Sequence, residues 1–335
     1  MEEIRISHSS SPRIFYYTPD HNVPSWGIGM LYTHVRLLRS SGIPAFVLHD
    51  RYPFRPHWLQ MNVSREYLDR RSFQPRPRDI VVIPEIVADG AHVRAYSKKR
   101  FLNIGCRRVV FVQGSSLIMA GLGSAQNYRE LGYEGAIAVM PHIQAILERH
   151  FSTSAAVVPP CVAPYFLADR LQISSSHRKR QIVLVPKMGC EDYEMMASFL
   201  RSRLPGLGWR LIELKDKSHR QVARVMQESA FHLNVNCQES FNATVPEAMA
   251  AGCIPICYEA FGGRDFLEDG KNAYVFPNHH IFPLLERTLE LVQRYDRMQS
   301  QLTAIRRAGW ATARRFSERQ TMKALLSYFR PMLRV

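Results

Sequence analysis

The sequence predicts an α/β protein of two doubly wound parallel domains, and three observations carry that expectation. Short apolar runs alternate with segments whose apolar residues recur at helical spacing, the pattern of parallel strands joined by crossover helices. The chain has 335 residues, beyond the size at which single cores usually stop growing, so two domains of roughly 150 residues are expected. After a polar stretch at 174–180, the alternation of strand and helix starts again.

The first cycle opens with a strand at 14–17 (Ile-Phe-Tyr-Tyr), a turn-rich loop over 19–29 and a helix over 30–41 that stops before Gly42. Strand-like runs follow at 45–49, 79–86, 109–113 and 135–140, then a helix over 141–150 and a last strand at 157–160. The second cycle reads as a strand at 181–185, a helix over 191–203, a strand at 209–214, a helix over 218–229 and a buried strand at 230–236. A helix opening near Thr244 and running through Ala251, strands at 254–258 and 273–276, and mostly helix to the end complete it. Domains are therefore set at 1–173 and 174–316, with a closing helix over 317–335.

The chain carries 44 Lys and Arg against 29 Asp and Glu, a net charge of +15, which favours anionic partners: membrane headgroups, nucleic acid or phosphorylated substrates. Arginines cluster at 65, 70, 71, 76 and 78, and a second basic run is Lys98-Lys-Arg100 with Arg107 and Arg108. No stretch approaches the ~18 uninterrupted apolar residues of a membrane span. The acidic start, Met-Glu-Glu-Ile, lacks the basic residues of a secretory signal, so a cytoplasmic protein is expected, with peripheral contact at the inner face of an anionic membrane left open. The six cysteines are dispersed without zinc-binding spacing, and neither a metal nor a cofactor is expected. His142 and His150 also lack the spacing of a zinc pair.

The densest chemical signal is Glu239-Ser-Phe-Asn-Ala-Thr-Val-Pro-Glu247, two carboxylates separated by seven residues. Glu239 follows an apolar strand, at the carboxyl end where open parallel sheets place ligands. A helix start at Thr244 would present the amides of Asn242, Ala243 and Thr244, together with the positive end of a dipole, to a phosphate. Carboxylates suit hydroxyl donors instead, so a ligand bearing both phosphate and vicinal hydroxyls, a nucleotide sugar, satisfies both groups. Thr244-Val-Pro-Glu247 also reads as a capping box, which leaves Glu247 divided between capping and ribose binding. Lys187, just after a strand, could reach the diphosphate. In the first domain Gly27 and Gly29 precede a helix and allow close approach of backbone to a phosphate, and Gln113 ends a strand where it could bond a sugar hydroxyl or serve as a loop amide.

The segment from Glu239 to Pro255, followed by Gly262-Gly-Arg-Asp and Glu268-Asp-Gly-Lys-Asn272, resembles the retaining glycosyltransferases of family 4, with their Glu-x7-Glu motif. The likeness is strongest over about 181–280 and extends more loosely to Gly27-Ile-Gly29, Phe111-Val-Gln-Gly114, Val157-Val-Pro-Pro-Cys-Val162 and Arg315-Phe-Ser-Glu-Arg319. It implies the GT-B fold: two Rossmann-like domains facing a cleft, with a C-terminal helix crossing back to the first domain. It also implies a nucleoside diphosphate sugar, with UDP favoured, on the second domain and a glycan or lipid-linked acceptor on the first, as in surface polysaccharide or glycolipid synthesis. Glu239 would then hold hydroxyls of the transferred sugar, Glu247 the ribose, and Lys187 the leaving diphosphate. Gln113 stands where many members carry histidine, and the family's second basic residue has no counterpart in Met188-Gly-Cys-Glu-Asp-Tyr193. Arg264 is the candidate replacement. The rival readings are a GT-B epimerase or hydrolase and a basic binding module. Nucleic acid is disfavoured because few aromatics interleave with the arginines.

Overall fold

The computed structural model describes residues 11–91, 93–169, 173, 178–186, 191–215 and 217–334. Contacts divide the chain into two compact units: Met1–Val139, Ile143–Val158 and Met322–Val335 form one, Met140–His142 and Pro159–Thr321 the other.

The first unit is built on seven strands: β1 Ile14–Tyr17, β2 Ala45–His49, β3 Arg65–Tyr67, β4 Ile80–Pro84, β5 Arg107–Val112, β6 Gly135–Ala138 and β7 Ala155–Val157. They pair in parallel in the order β3-β2-β1-β4-β5-β6-β7, and β1 sits between β2 and β4 with Ile14 opposite both Ala45 and Ile80. Every residue of β1 and β4 is buried, which is why these strands are continuous apolar runs rather than alternating ones. Helices α1 Trp26–Ser40, α2 Ala95–Leu102, α3 Ile118–Leu122 and α4 Pro141–Phe151 connect them. The hydroxyl of Ser25 caps α1 by accepting from the Ile28 amide, so the helix starts four residues earlier than its periodicity suggests. Gly27 and Gly29 consequently lie inside its first turns rather than ahead of it.

The second unit contains β8 Lys179–Leu184, β9 Arg210–Glu213, β10 Ser229–Asn234, β11 Ile254–Tyr258 and β12 Tyr274–Phe276, all parallel, in the order β12-β11-β10-β8-β9. Its helices are α5 Glu191–Arg203, α6 His219–Glu228, α7 Thr244–Ala250, α8 Ile281–Gln293 and α9 Gln299–Ala313. The polar stretch at 174–180 is already strand at Lys179, and residues 174–177 lie outside the described residues. Trp209 stacks on Phe231 in the core and Tyr295 meets both edge-on, with ring centroids 5.0 to 5.8 Å apart. Arg178, immediately before β8, is buried and donates to the carbonyls of Gln227 and Ala251, closing the ends of α6 and α7.

The last helix, α10 Glu318–Arg334, belongs to both units: its first residues group with the second and those from Met322 onward with the first. Phe329 is fully buried against Tyr16 of β1, 6.4 Å between ring centroids, and Arg107 of β5 donates to the Met332 carbonyl at 2.8 Å. Among the described residues, no helix is long and apolar enough to cross a membrane.

Candidate functional site

The strand order of the second unit reverses between β8 and β10, the switch point at which open α/β sheets bind ligands beyond their carboxyl ends. Glu239, half-buried, lies on the loop leaving β10 at this point. Lys187 follows β8 in the chain but lies outside the described residues, so its side chain takes no part in the geometry below.

A buried polar network fixes the Glu239 loop. The Asn234 and Asn242 amides pair reciprocally, at 2.9 and 3.0 Å, and Asn234 Oδ1 also accepts from the Asn236 amide at 3.0 Å. Asn234 Nδ2 donates to the Thr244 hydroxyl at 2.8 Å, which lies 3.2 Å from His232 Nε2. His232 Nδ1 faces the Val183 carbonyl at 3.1 Å, and since a carbonyl only accepts, this nitrogen carries the proton. Burial lowers the His232 pKa to about 4 despite that bond, so the ring is neutral and Nε2 accepts from Thr244. Asn242 itself has φ +53°, a left-handed conformation that asparagine tolerates better than most residues.

Packing holds the loop from the other side. Phe241 is buried against Phe266 and Phe316, with centroids 6.2 and 5.0 Å away. The Gly262 amide donates to the Glu239 carbonyl at 3.1 Å, and a Cβ at Gly262 would sit 1.8 Å from the Ser240 oxygen. Only glycine allows this approach. It brings the short helical turn Gly263–Asp265 beside the loop, where Arg264 is exposed and pairs with Glu259 at 3.5 Å.

The Thr244–Glu247 capping box does not form. The helix begins at Thr244 after Ala243 with no side-chain cap, because the Thr244 hydroxyl is engaged by Asn234 and His232. Glu247 is 5 % exposed and its Oε1 lies 2.8 Å from His219 Nε2, while His219 Nδ1 lies 2.6 Å from the Tyr165 hydroxyl. Burial pulls the His219 pKa down, but the hydrogen bond and charge of Glu247 outweigh it and raise the value above that of a free histidine. Sequence reasoning missed this Tyr165–His219–Glu247 chain. It also missed the capping box that does form, Ser218 with Gln221, which holds His219 at the first position of α6.

In the first unit, Gln113 and Gly27 come together: a Cβ at Gly27 would lie 3.2 Å from Gln113 Oε1. That oxygen is shielded and has no hydrogen-bond partner among the described residues. Gly29 is not part of this contact, since nothing lies within 4 Å of its Cβ position and its amide bonds Ser25 within the helix. The backbone at Gln113 is held by Glu85, whose buried Oε1 accepts from the Gln113 and Gly114 amides at 3.0 and 2.7 Å. Burial raises the Glu85 pKa to about 7 against the lowering effect of those bonds. A Cβ at Gly121 would lie 1.5 Å from the Glu85 carbonyl oxygen. Glu85 carries the signal that identified Glu239, a carboxylate at the end of a buried strand, and could have been found by it.

A concavity of the first unit, about 600 Å³, is lined by Arg36, Arg39, Arg55 and Arg65 with Tyr52 and Tyr67, and among the described residues no carboxylate lines it. Arg65 Nε is buried there without a hydrogen-bond partner among the described residues.

Over 95 to 97 % of its length the chain superposes on three solved structures at 11 % identity, covering 99 % of each. They are a glycosyltransferase from Rickettsia africae (TM-score 0.66), the sucrose-phosphate synthase of Thermosynechococcus elongatus (0.68) and HepE of Anabaena in complex with UDP-glucose (0.68). The fold is GT-B. In sequence, residues 192–327 match the model of a family described as glycosyl transferase-like, a segment that includes Glu239, Glu247 and Arg264 and ends within α10. No curated protein matches the chain.

Proposed function

We propose that the protein is a retaining glycosyltransferase of the family 4 type. In this reading it moves a sugar from a nucleoside diphosphate sugar, UDP-linked by preference, to a glycan or lipid-linked acceptor in surface polysaccharide or glycolipid synthesis. The observation that carries it is the placement of Glu239 on the loop leaving the central strand β10, ahead of α7, inside the segment that matches the glycosyl transferase-like model. The UDP preference is supported by HepE, which was solved with UDP-glucose.

In this reading Glu239 accepts hydroxyls of the donor sugar, and Glu247, held by His219, turns its buried carboxylate to the ribose. The diphosphate lies against the amides of Asn242, Ala243 and Thr244, with Lys187 and Arg264 supplying positive charge. The weak exposed pair of Arg264 with Glu259 is one a diphosphate can displace. The anomeric carbon–phosphate oxygen bond breaks as the acceptor oxygen bonds to the same face of that carbon. The acceptor proton passes to the departing phosphate. Charge growing on that phosphate is met by fixed dipoles and cations, so transfer is expected to continue in EDTA. The shielded Gln113 carbonyl, beside Gly27, is suited to a sugar hydroxyl. The arginine-lined concavity is suited to the phosphate of a lipid-linked acceptor or an anionic headgroup.

Two measurements test this. A panel of nucleoside diphosphates and their sugars should raise the melting temperature for one base, uridine. Glu239→Ala should abolish transfer with an unchanged melting curve, and full activity in that variant would remove the assignment.

A further inference from the structure

Three side chains of different donor type, none of them assigned to the donor, converge in the second unit. Asp192 stands in the first turn of α5, Cys237 on the loop leaving β10, and His279 in the turn before α8. His279 Nδ1 lies 3.1 Å from Asp192 Oδ2 and 4.0 Å from Cys237 Sγ, and the three ligand atoms lie within 4.8 Å of one another.

We propose that Asp192, Cys237 and His279 form a binding site for a divalent transition-metal ion, zinc by the chemistry of the set. Thiolate, imidazole and carboxylate on one ion is a zinc-type combination, and the two anionic ligands offset its charge. Tetrahedral zinc with ordinary bond lengths spaces sulfur and nitrogen about 3.6 Å apart and nitrogen and oxygen about 3.4 Å apart. The observed 4.0 and 3.1 Å lie within a few tenths of an ångström of those spacings, and sulfur and carboxylate oxygen, about 3.6 Å apart on zinc, lie within 4.8 Å.

The geometry also separates this cluster from a cysteine–histidine–aspartate relay. In a relay the two ring nitrogens each serve one partner. Here Asp192 and Cys237 both approach the same nitrogen, Nδ1, as ligands around a common point do. Two further features fit a metal. The Tyr258 hydroxyl donates to Asp192 Oδ2 at 3.0 Å, the outer bond that orients a ligating carboxylate. His279 holds φ +65°, a costly backbone for histidine, and its side chain is 74 % exposed, which gives the ion a path of entry. Binding replaces the Cys237 thiol proton with a sulfur–zinc bond and releases that proton to solvent, leaving the fourth position to water. The ion would tie α5, the Glu239 loop and the turn before α8 together.

The test uses the full chain after EDTA treatment and dialysis. Titration with Co²⁺ should give one equivalent of a thiolate charge-transfer band in the near ultraviolet, displaced by Zn²⁺, and Zn²⁺ should raise the melting temperature. Cys237→Ser should abolish the band. His279→Asn, chosen because asparagine keeps a left-handed backbone, should weaken Zn²⁺ binding by roughly 10-fold or more while its melting curve in EDTA matches the parent. A band that survives Cys237→Ser, or a parent whose melting temperature does not respond to Zn²⁺, overturns the site. Neither result bears on donor binding by the nucleoside diphosphate panel, so this proposal and the proposed activity fail separately.

Discussion

The loop leaving β5 in the first unit and the loop leaving β10 in the second solve one problem with different chemistry. Each projects polar residues from the carboxyl end of a buried parallel strand, and a glycine that admits no Cβ supports each: Gly262 against Ser240 of the β10 loop, and Gly121 against the carbonyl of Glu85, the residue that ties the β5 loop. The β5 loop is tied by one buried carboxylate, Glu85, accepting two backbone amides. The β10 loop is tied by neutral side chains, the Asn234–Asn242 pair and the His232–Thr244 bond. The lesson is that pH acts on the two loops in opposite senses. Glu85 has its folded pKa raised to about 7, so its stabilising contribution is full below the ordinary glutamate value and is lost as pH rises toward 7. His232 has its folded pKa lowered to about 4, so the folded state loses stability as pH falls from the ordinary histidine value toward 4.

The strongest way to break the comparison is at the glycines. Gly262→Ala must move the Ser240 carbonyl and with it Glu239, so it should cost about 3 kcal/mol or more and, under the proposed activity, lower transfer at least ~100-fold. Transfer rate and melting temperature measured together check this, and a variant that melts and turns over like the parent would show that the loop is not held as described. Next in size is Glu85→Gln, which keeps the accepting oxygen and removes the titration. It should flatten a fall in stability of about 3 kcal/mol between pH 4.5 and 7, read from urea midpoints across that range. A slope unchanged by the substitution would assign it to other groups. A finer contrast is Asn242→Ala against Asn242→Gly. Both lose the amide pair, at about 2 kcal/mol, but alanine also suffers from the positive φ and should be about 1 kcal/mol the less stable in chemical denaturation. The smallest effect belongs to His219→Gln. Because His219 has a raised folded pKa, its ion pair with Glu247 contributes below the ordinary histidine value and is lost as pH rises through the folded one. The half-exposed ring limits the loss to about 0.5 kcal/mol at pH 6, with nothing lost at pH 9.

Much of the fold was legible because burial on both faces writes parallel strands as apolar runs: β1, β2, β11 and α5 have the bounds their sequence patterns predict. What escaped were α3, whose five residues are too few to show a period, and elements hidden in basic runs. The edge strand β3 begins at Arg65, and α2 contains Lys98-Lys-Arg100, so neither offers an apolar signal. At the site, Glu239 was legible from its position after a strand. The role of Thr244 was not, because its hydroxyl is claimed by His232 and Asn234 from another element, and a local capping pattern cannot report such partners. The Asp192–Cys237–His279 cluster was invisible for the same reason, its members being separated by more than 40 residues along the chain.

The closing helix has a consequence for biosynthesis. Chains emerge from the ribosome amino end first, and domains ordinarily fold in that order. Here the buried surface of Tyr16 on β1 is completed by Phe329, so the last core residue of the first unit is made after the whole of the second. The second unit can therefore finish folding while the first is still waiting for its final helix, and a nick near residue 322 would injure the amino-terminal unit before the one it is joined to.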